Sequence, residues 1–176
     1  EFTREELIGK FSLEAVGKSA AAINPGKLDW LNAQYIKKIE LEELVQRVRP
    51  FVETKGYSNV NPDLLRKAVR SLRERVKTLV EMADLSEFYF CEEITYDEKA
   101  VATIPMFNQT VTSLRNESVL EKEKVHGLIQ KLAETRGEPL VKIAQPIRVA
   151  LTGRTVSPPI DEVMEVLGKT EVIKRL

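Results

Sequence analysis

Aromatic residues make up only 6% of this 176-residue chain, and it holds one cysteine, one histidine and one tryptophan. Each scarcity excludes something. Cys91 alone forms no internal disulfide, and paired only with a distant His126 it rules out a histidine/cysteine metal cluster and leaves a catalytic dyad unsupported. No apolar run reaches the length of a membrane span or the pattern of a signal peptide, so the expected compartment is the cytoplasm, with no membrane partner. Two glycosylation-type triplets, at Asn108 and Asn116, would matter only in a secreted protein. A basic excess is missing too. Lys and Arg number 27 against 27 Asp and Glu, which argues against a histone-like electrostatic binder of nucleic acid; no DNA partner is expected.

What remains is a composition of helix formers. The chain is 43% hydrophobic, rich in Leu, Glu, Lys, Val and Ala, and long enough for one good core or two small ones, so the expected fold class is all-α. Thr3 with Glu6 fits a capping box, with Phe2 and Leu7 placed as a hydrophobic staple. Asn24-Pro25 opens a helix carrying Leu28, Leu31, Tyr35 and Ile36; Trp30 and Asn32 lie off that stripe. Leu41, Leu44, Val45, Val48, Phe51 and Val52 repeat at helical spacing up to Gly56. Asn61-Pro62 then starts one long helix with the stripe Leu65, Val69, Leu72, Val76, Leu79 and Ala83. Phe88 to Cys91 read as a packed connector between two bundles. Short helices are expected near 97–102 and 107–114, then a longer one from Asn116 to Gly137. A helix over 140–151 should kink or break near Ala144 because of Pro146, and Ser157-Pro158-Pro159 should cap a last helix that stops at Gly168.

The charges are unevenly spread. From Arg66 to Lys77 there are six basic residues and one acid, whereas Glu81 to Glu98 holds seven acids and no base. On a wheel of roughly 100° per residue, Arg66, Arg70, Arg73 and Lys77 share one edge of the long helix, with Arg75 alone on the other near Ser71. Such a patch permits oriented contact with phosphate and is equally compatible with a solvated face. Arg75 reads either as a snorkelling surface arginine or as one aimed at something particular.

Catalytic chemistry finds no foothold. Gly17-Lys18-Ser19 and Gly168-Lys169-Thr170 share the end of a phosphate-binding loop, but Ser12 and Val163 stand where its first glycine belongs and neither follows a strand. No catalytic residue and no metal ligand is assigned. A different chemistry stands out in Gln145-Pro146-Ile147-Arg148 leading to Thr152-Gly153-Arg154-Thr155-Val156-Ser157-Pro158-Pro159-Ile160. It combines a proline-fixed turn at a helix start, a hydroxyl and nearby arginines, a surface suited to unpaired RNA bases, whose edges need placed donors and acceptors. A capped loop between packing helices would look the same.

Four ordered runs carry a resemblance. Phe11-Ser-Leu-Glu14, Lys27-Leu-Asp-Trp-Leu-Asn32 with Tyr35-Ile36, Gln145-Pro-Ile-Arg-Val-Ala-Leu-Thr-Gly153, and Ser157-Pro-Pro159 through Glu162-Val-Met-Glu-Val-Leu-Gly-Lys169 resemble the carboxy-terminal region of bacterial glutamyl-tRNA synthetases. The resemblance implies a stem-contact segment over residues 1–39 and two consecutive helical anticodon-binding bundles over 40–96 and 97–176. It implies a tRNA partner, glutamate-accepting and in some relatives also glutamine-accepting, together with a catalytic half in the same protein. ATP and Mg2+ would serve that half; this chain would need no cofactor and be inactive alone, and its start at Glu1 fits a piece of a longer chain. Carried over position by position, Arg75 matches the reader of the third anticodon base, and Arg148, Ser157, Pro158 and Ile160 match contacts to the first two. Arg66, Arg70, Arg73, Lys77 and Arg154 remain for phosphates. Asp161 departs from the family, which is hydrophobic or aromatic there, and Trp30 and Asn32 would hold the stem-contact segment together. The reading from another class is a free-standing helical adaptor that binds a protein.

Overall fold

The computed structural model describes residues 2–17, 22, 24–96 and 121–176, and every regular element among them is helical. In chain order these are α1 (Arg4–Lys10), α2 (Pro25–Lys38), α3 (Leu41–Thr54), α4 (Pro62–Leu72), α5 (Leu79–Ser86), a 3-10 turn at Glu87–Tyr89, α6 (Lys122–Arg136), α7 (Leu140–Thr152) and α8 (Ile160–Arg175). The expected helices near 97–102 and 107–114, the Lys18-Ser19 pair, both glycosylation-type asparagines and the boundary at 97 lie outside the described residues, while α6 starts at Lys122 with the extended Glu121 as its N-cap and not at the expected Asn116.

Local chemistry explains most of the starts. Thr3 Oγ1 accepts from Glu6 N at 3.1 Å while Glu6 Oε2 accepts from Thr3 N at 2.7 Å, completing the capping box. Asn24 accepts from Lys27 N, and Asn61 from Asp63 N and Leu64 N, each followed by proline as first helical residue. Gly137 and Gly153 end α6 and α7 in the left-handed region. At Gly153 the requirement is also spatial: a Cβ would stand 2.2 Å from Thr95 O.

Two expectations of helix continuity fail. The long helix from Pro62 is really α4 and α5 with a turn between, because Thr78 accepts from Glu81 N at 3.0 Å and Glu81 reaches back to Lys77 N at 2.7 Å. This second N-terminal cap, Thr78-Leu-Val-Glu81, starts a new helix inside an unbroken apolar stripe. And α7 runs unbroken through Pro146, as α3 does through Pro50. The break at Gly168 is present: with φ 76° and ψ 161° it interrupts α8.

α3, α4 and α5 pack together, as do α6, α7 and α8, and α4 lies against α8. The two groups therefore share one continuous core from Ile36 to Val172, in which Leu44, Leu65, Leu72, Met82, Ile147, Leu151 and Met164 are fully buried. Burying each such side chain is worth roughly 1.5–3 kcal/mol. Arg175 bolts the joint: Nη1 donates to Phe88 O and Leu151 O, Nη2 to Cys91 O, and Nε to Glu171. Residues 2–17 behave oppositely, with α1 burying nothing.

Candidate nucleic-acid interface

The α4–α5 turn sorts the predicted basic edge into unlike residues. Arg73 caps α4, and its Nη2 donates to Lys37 O and, at 2.7 Å, to Ile39 O, satisfying carbonyls at the end of α2. It is a structural bolt between α4 and α2. Arg66 pairs with Glu42 on an exposed surface, and Lys77 lies in the turn beyond α4, where its carbonyl accepts from Asn32 Nδ2. Asn32 thus fastens α2 to the turn, while Trp30 stays more than half exposed. The single-edge picture is corrected, since the helix that would align these four ends at Leu72. Arg75 is exposed in the turn, its backbone held by Arg75 N donating to Leu72 O at 2.8 Å.

Arg148 is positioned by α7. Its Nη1 donates to Ser157 Oγ at 2.5 Å, Ser157 O at 3.1 Å and Pro158 O at 2.8 Å, and Ser157 Oγ donates to Pro158 O at 2.8 Å. One nitrogen therefore shapes the whole start of the last helix. Ser157 does not cap α8, whose N-cap is Pro159 without a side-chain bond. Pro158 is buried and Ile160 belongs to the core, so their side chains support the loop from beneath. Arg148 Nε and Nη2 make no hydrogen bond among the described residues, and neither is sealed from solvent. Both nitrogens are free to meet a ligand.

Ser71 Oγ and Tyr89 Oη lie 3.0 Å apart in the core, and burial raises the Tyr89 phenol well above its ordinary range despite that bond. Arg75 lies within electrostatic reach of both Tyr89 and Arg148. Burial pulls the Arg148 guanidinium below its ordinary value, the Arg75 charge pulls the same way, and Asp161 opposes them. It stays protonated regardless. A half-buried guanidinium with a second positive charge in electrostatic reach suits hydrogen-bond acceptors or negative charge.

Of the other predicted contacts, Arg154 stands 4.0 Å from Glu87, which also meets Tyr57 Oη at 3.3 Å and Lys55 at 3.8 Å. That pair ties the α7–α8 loop to the first bundle. Arg70 makes no ion pair among the described residues and lines a cleft of about 220 Å³ with Lys67, Lys122, Glu162, Glu165 and Val166. Sequence reading passed over Lys67 and Lys122, because nothing local says that α6 comes beside α4. No group of three or more His, Cys, Asp or Glu able to hold a metal occurs among the described residues.

Comparison with known proteins follows the same outline. A family model described as "Anticodon binding domain" matches residues 43–176. Glutamate–tRNA ligases of Syntrophobacter fumaroxidans and Geotalea uraniireducens are 44% and 41% identical to the chain over 99% of its length. The chain spans only 39% of either relative. A crystal structure of a glutamate–tRNA synthetase from Elizabethkingia anophelis superposes with a TM-score of 0.82 at 25% identity, covering 97% of this chain and 34% of that one. With the family model matching residues 43–176, well over half of the chain, the chain belongs to the anticodon-binding-domain family.

Proposed function

We propose that this chain grips the anticodon loop of a tRNA as the anticodon-binding part of a glutamate–tRNA ligase. The observation that carries the reading is Arg148 on α7, whose Nε and Nη2 make no hydrogen bond among the described residues, within electrostatic reach of Arg75 in the α4–α5 turn. Unpaired bases are read by such fixed donors. Arg75 reads the third anticodon base, while Arg148 and the Ser157 hydroxyl hold the loop that meets the first two. Arg70, Lys77 and Arg154 serve the flanking phosphates.

The tRNA is glutamate-accepting, with a glutamine-accepting one as the nearest competitor, and the setting is cytoplasmic. Residues 1–39 contact the inner stem and lean on the catalytic half: Leu7, Ile8, Phe11, Leu13 and Trp30 are all more than half exposed and need a cover. ATP and Mg2+ belong to that half. On this reading the chain supplies recognition, and the chemical step lies with the catalytic half.

Binding of a transcribed anticodon stem-loop, measured by gel shift at low and physiological salt, tests the reading. Affinity should fall as salt rises, with about 0.7 added to the logarithmic slope per phosphate contact. Arg148→Ala should weaken binding by about 1–3 kcal/mol with helicity kept. Salt-independent binding, or none, would favour a protein-binding adaptor.

A further inference from the structure

Residues 73–77 lead from the end of α4 to the cap of α5, and α2 grips them along their whole length. At the near end Arg73 Nη2 donates to Lys37 O and, at 2.7 Å, to Ile39 O. In the middle Lys37 Nζ stands 3.4 Å from Glu74 Oε2. At the far end Asn32 Nδ2 donates to Lys77 O, while Lys77 N donates to Glu81 Oε2 at 2.7 Å. Val76 is buried in the core, and Arg75 N donates to Leu72 O at 2.8 Å. The Arg75 side chain is the exception: exposed, it makes no hydrogen bond or ion pair with the described residues.

A turn fixed at one end pivots; fixed at both, it holds what it carries. Of the grips, the exposed Lys37–Glu74 pair adds little, and Arg73 also closes the carbonyls at the end of α2. Asn32 serves no such second purpose. It is exposed in the middle of α2, where Asn is a poor helix former, and the bond to Lys77 O is its side chain's one hydrogen bond among the described residues. Donor–acceptor pairing weakens steeply with misalignment, so telling two bases apart needs the donor held in place more than binding itself does. We propose that Asn32 is a positioning residue for reading the third anticodon base: through Lys77 O it fixes the turn from which Arg75 reaches out, and it touches no RNA. The sharpness of that reading then depends on α2, outside the two helical bundles. The proposal rests on the anticodon-loop reading above. The competing account is a bond that only tacks α2 to the bundle.

Stem-loops with cytosine, guanine or no base at the third anticodon position are titrated against the wild-type chain, Asn32→Ala, Arg75→Gln and the double variant. Asn32→Ala removes the donor, adds no charge and suits a helix better, so α2 should persist. Its cytosine-to-guanine affinity ratio should fall about three- to ten-fold below that of wild type. The loop lacking the third base should bind both proteins equally, which a general loosening of the fold would prevent. In the Arg75→Gln background the same substitution should change the ratio no further, since both act on one contact. An unchanged ratio in Asn32→Ala overturns the proposal, whatever happens to the melting temperature. Should Asn32→Ala not fold, Glu74→Gln decides: it releases the middle grip from an exposed position and should lower the ratio about two-fold, and no fall overturns the proposal. A wild type without any preference for cytosine removes the base-reading role of Arg75 and the proposal with it, a failure visible before any variant is made.

Discussion

Residues 2–39 and residues 40–176 use the same materials and end differently. Both parts carry capped amphipathic helices, yet Phe11 is 67% exposed whereas Val48 and Met164 are fully buried. α2 is held at its C-terminal end, where Ile36 enters the core, Asn32 bonds the α4–α5 turn, and Arg73 closes the last carbonyls. An apolar stripe says that a face wants cover; only the rest of the protein says what covers it.

Mutations in the two parts should therefore separate sharply. The largest loss is expected at Met164→Ala, about 2–5 kcal/mol by urea unfolding, because the cavity opens in the core shared by both helical groups. Next comes Arg175→Met, which strips the donors from three carbonyls and should cost about 2–4 kcal/mol. Gly153→Ala should cost about 2 kcal/mol, combining a left-handed backbone with a clash against Thr95 O. The smallest change belongs to the other region: Phe11→Ser should move stability by no more than about 0.5 kcal/mol and improve solubility. A large loss there would show that residues 2–17 fold onto the helical core, breaking the contrast.

Much of this was legible in residues taken one at a time. Capping chemistry located α1, α2 and α4, and the glycines marked where α6 and α7 stop. The α4–α5 turn was missed because its signal, Thr78 with Glu81, sits within an apolar repeat that continues across it. That miss carried the basic-edge assignment with it, since a wheel holds only while the helix does. Arg148 and Ser157 were picked out as a pair, but which way each guanidinium nitrogen faces depends on the fold of the α7–α8 loop. Asp161 could be noticed as unusual, while its burial against Glu162 N and the approach of His126 could not be seen without the fold.

The central claim is that Arg75 reads a base. The most direct measurement is the ratio of affinities for two anticodon stem-loops that differ only at the third anticodon base, cytosine in one and guanine in the other. Cytosine presents acceptors at O2 and N3 where guanine presents donors at N1 and N2, so a guanidinium favours the first and opposes the second. Wild type should prefer cytosine by about one to two orders of magnitude. Arg75→Gln, able to donate and to accept, should erode that preference. A ratio that is the same for wild type and Arg75→Gln would contradict the account and leave Arg75 an ordinary surface arginine.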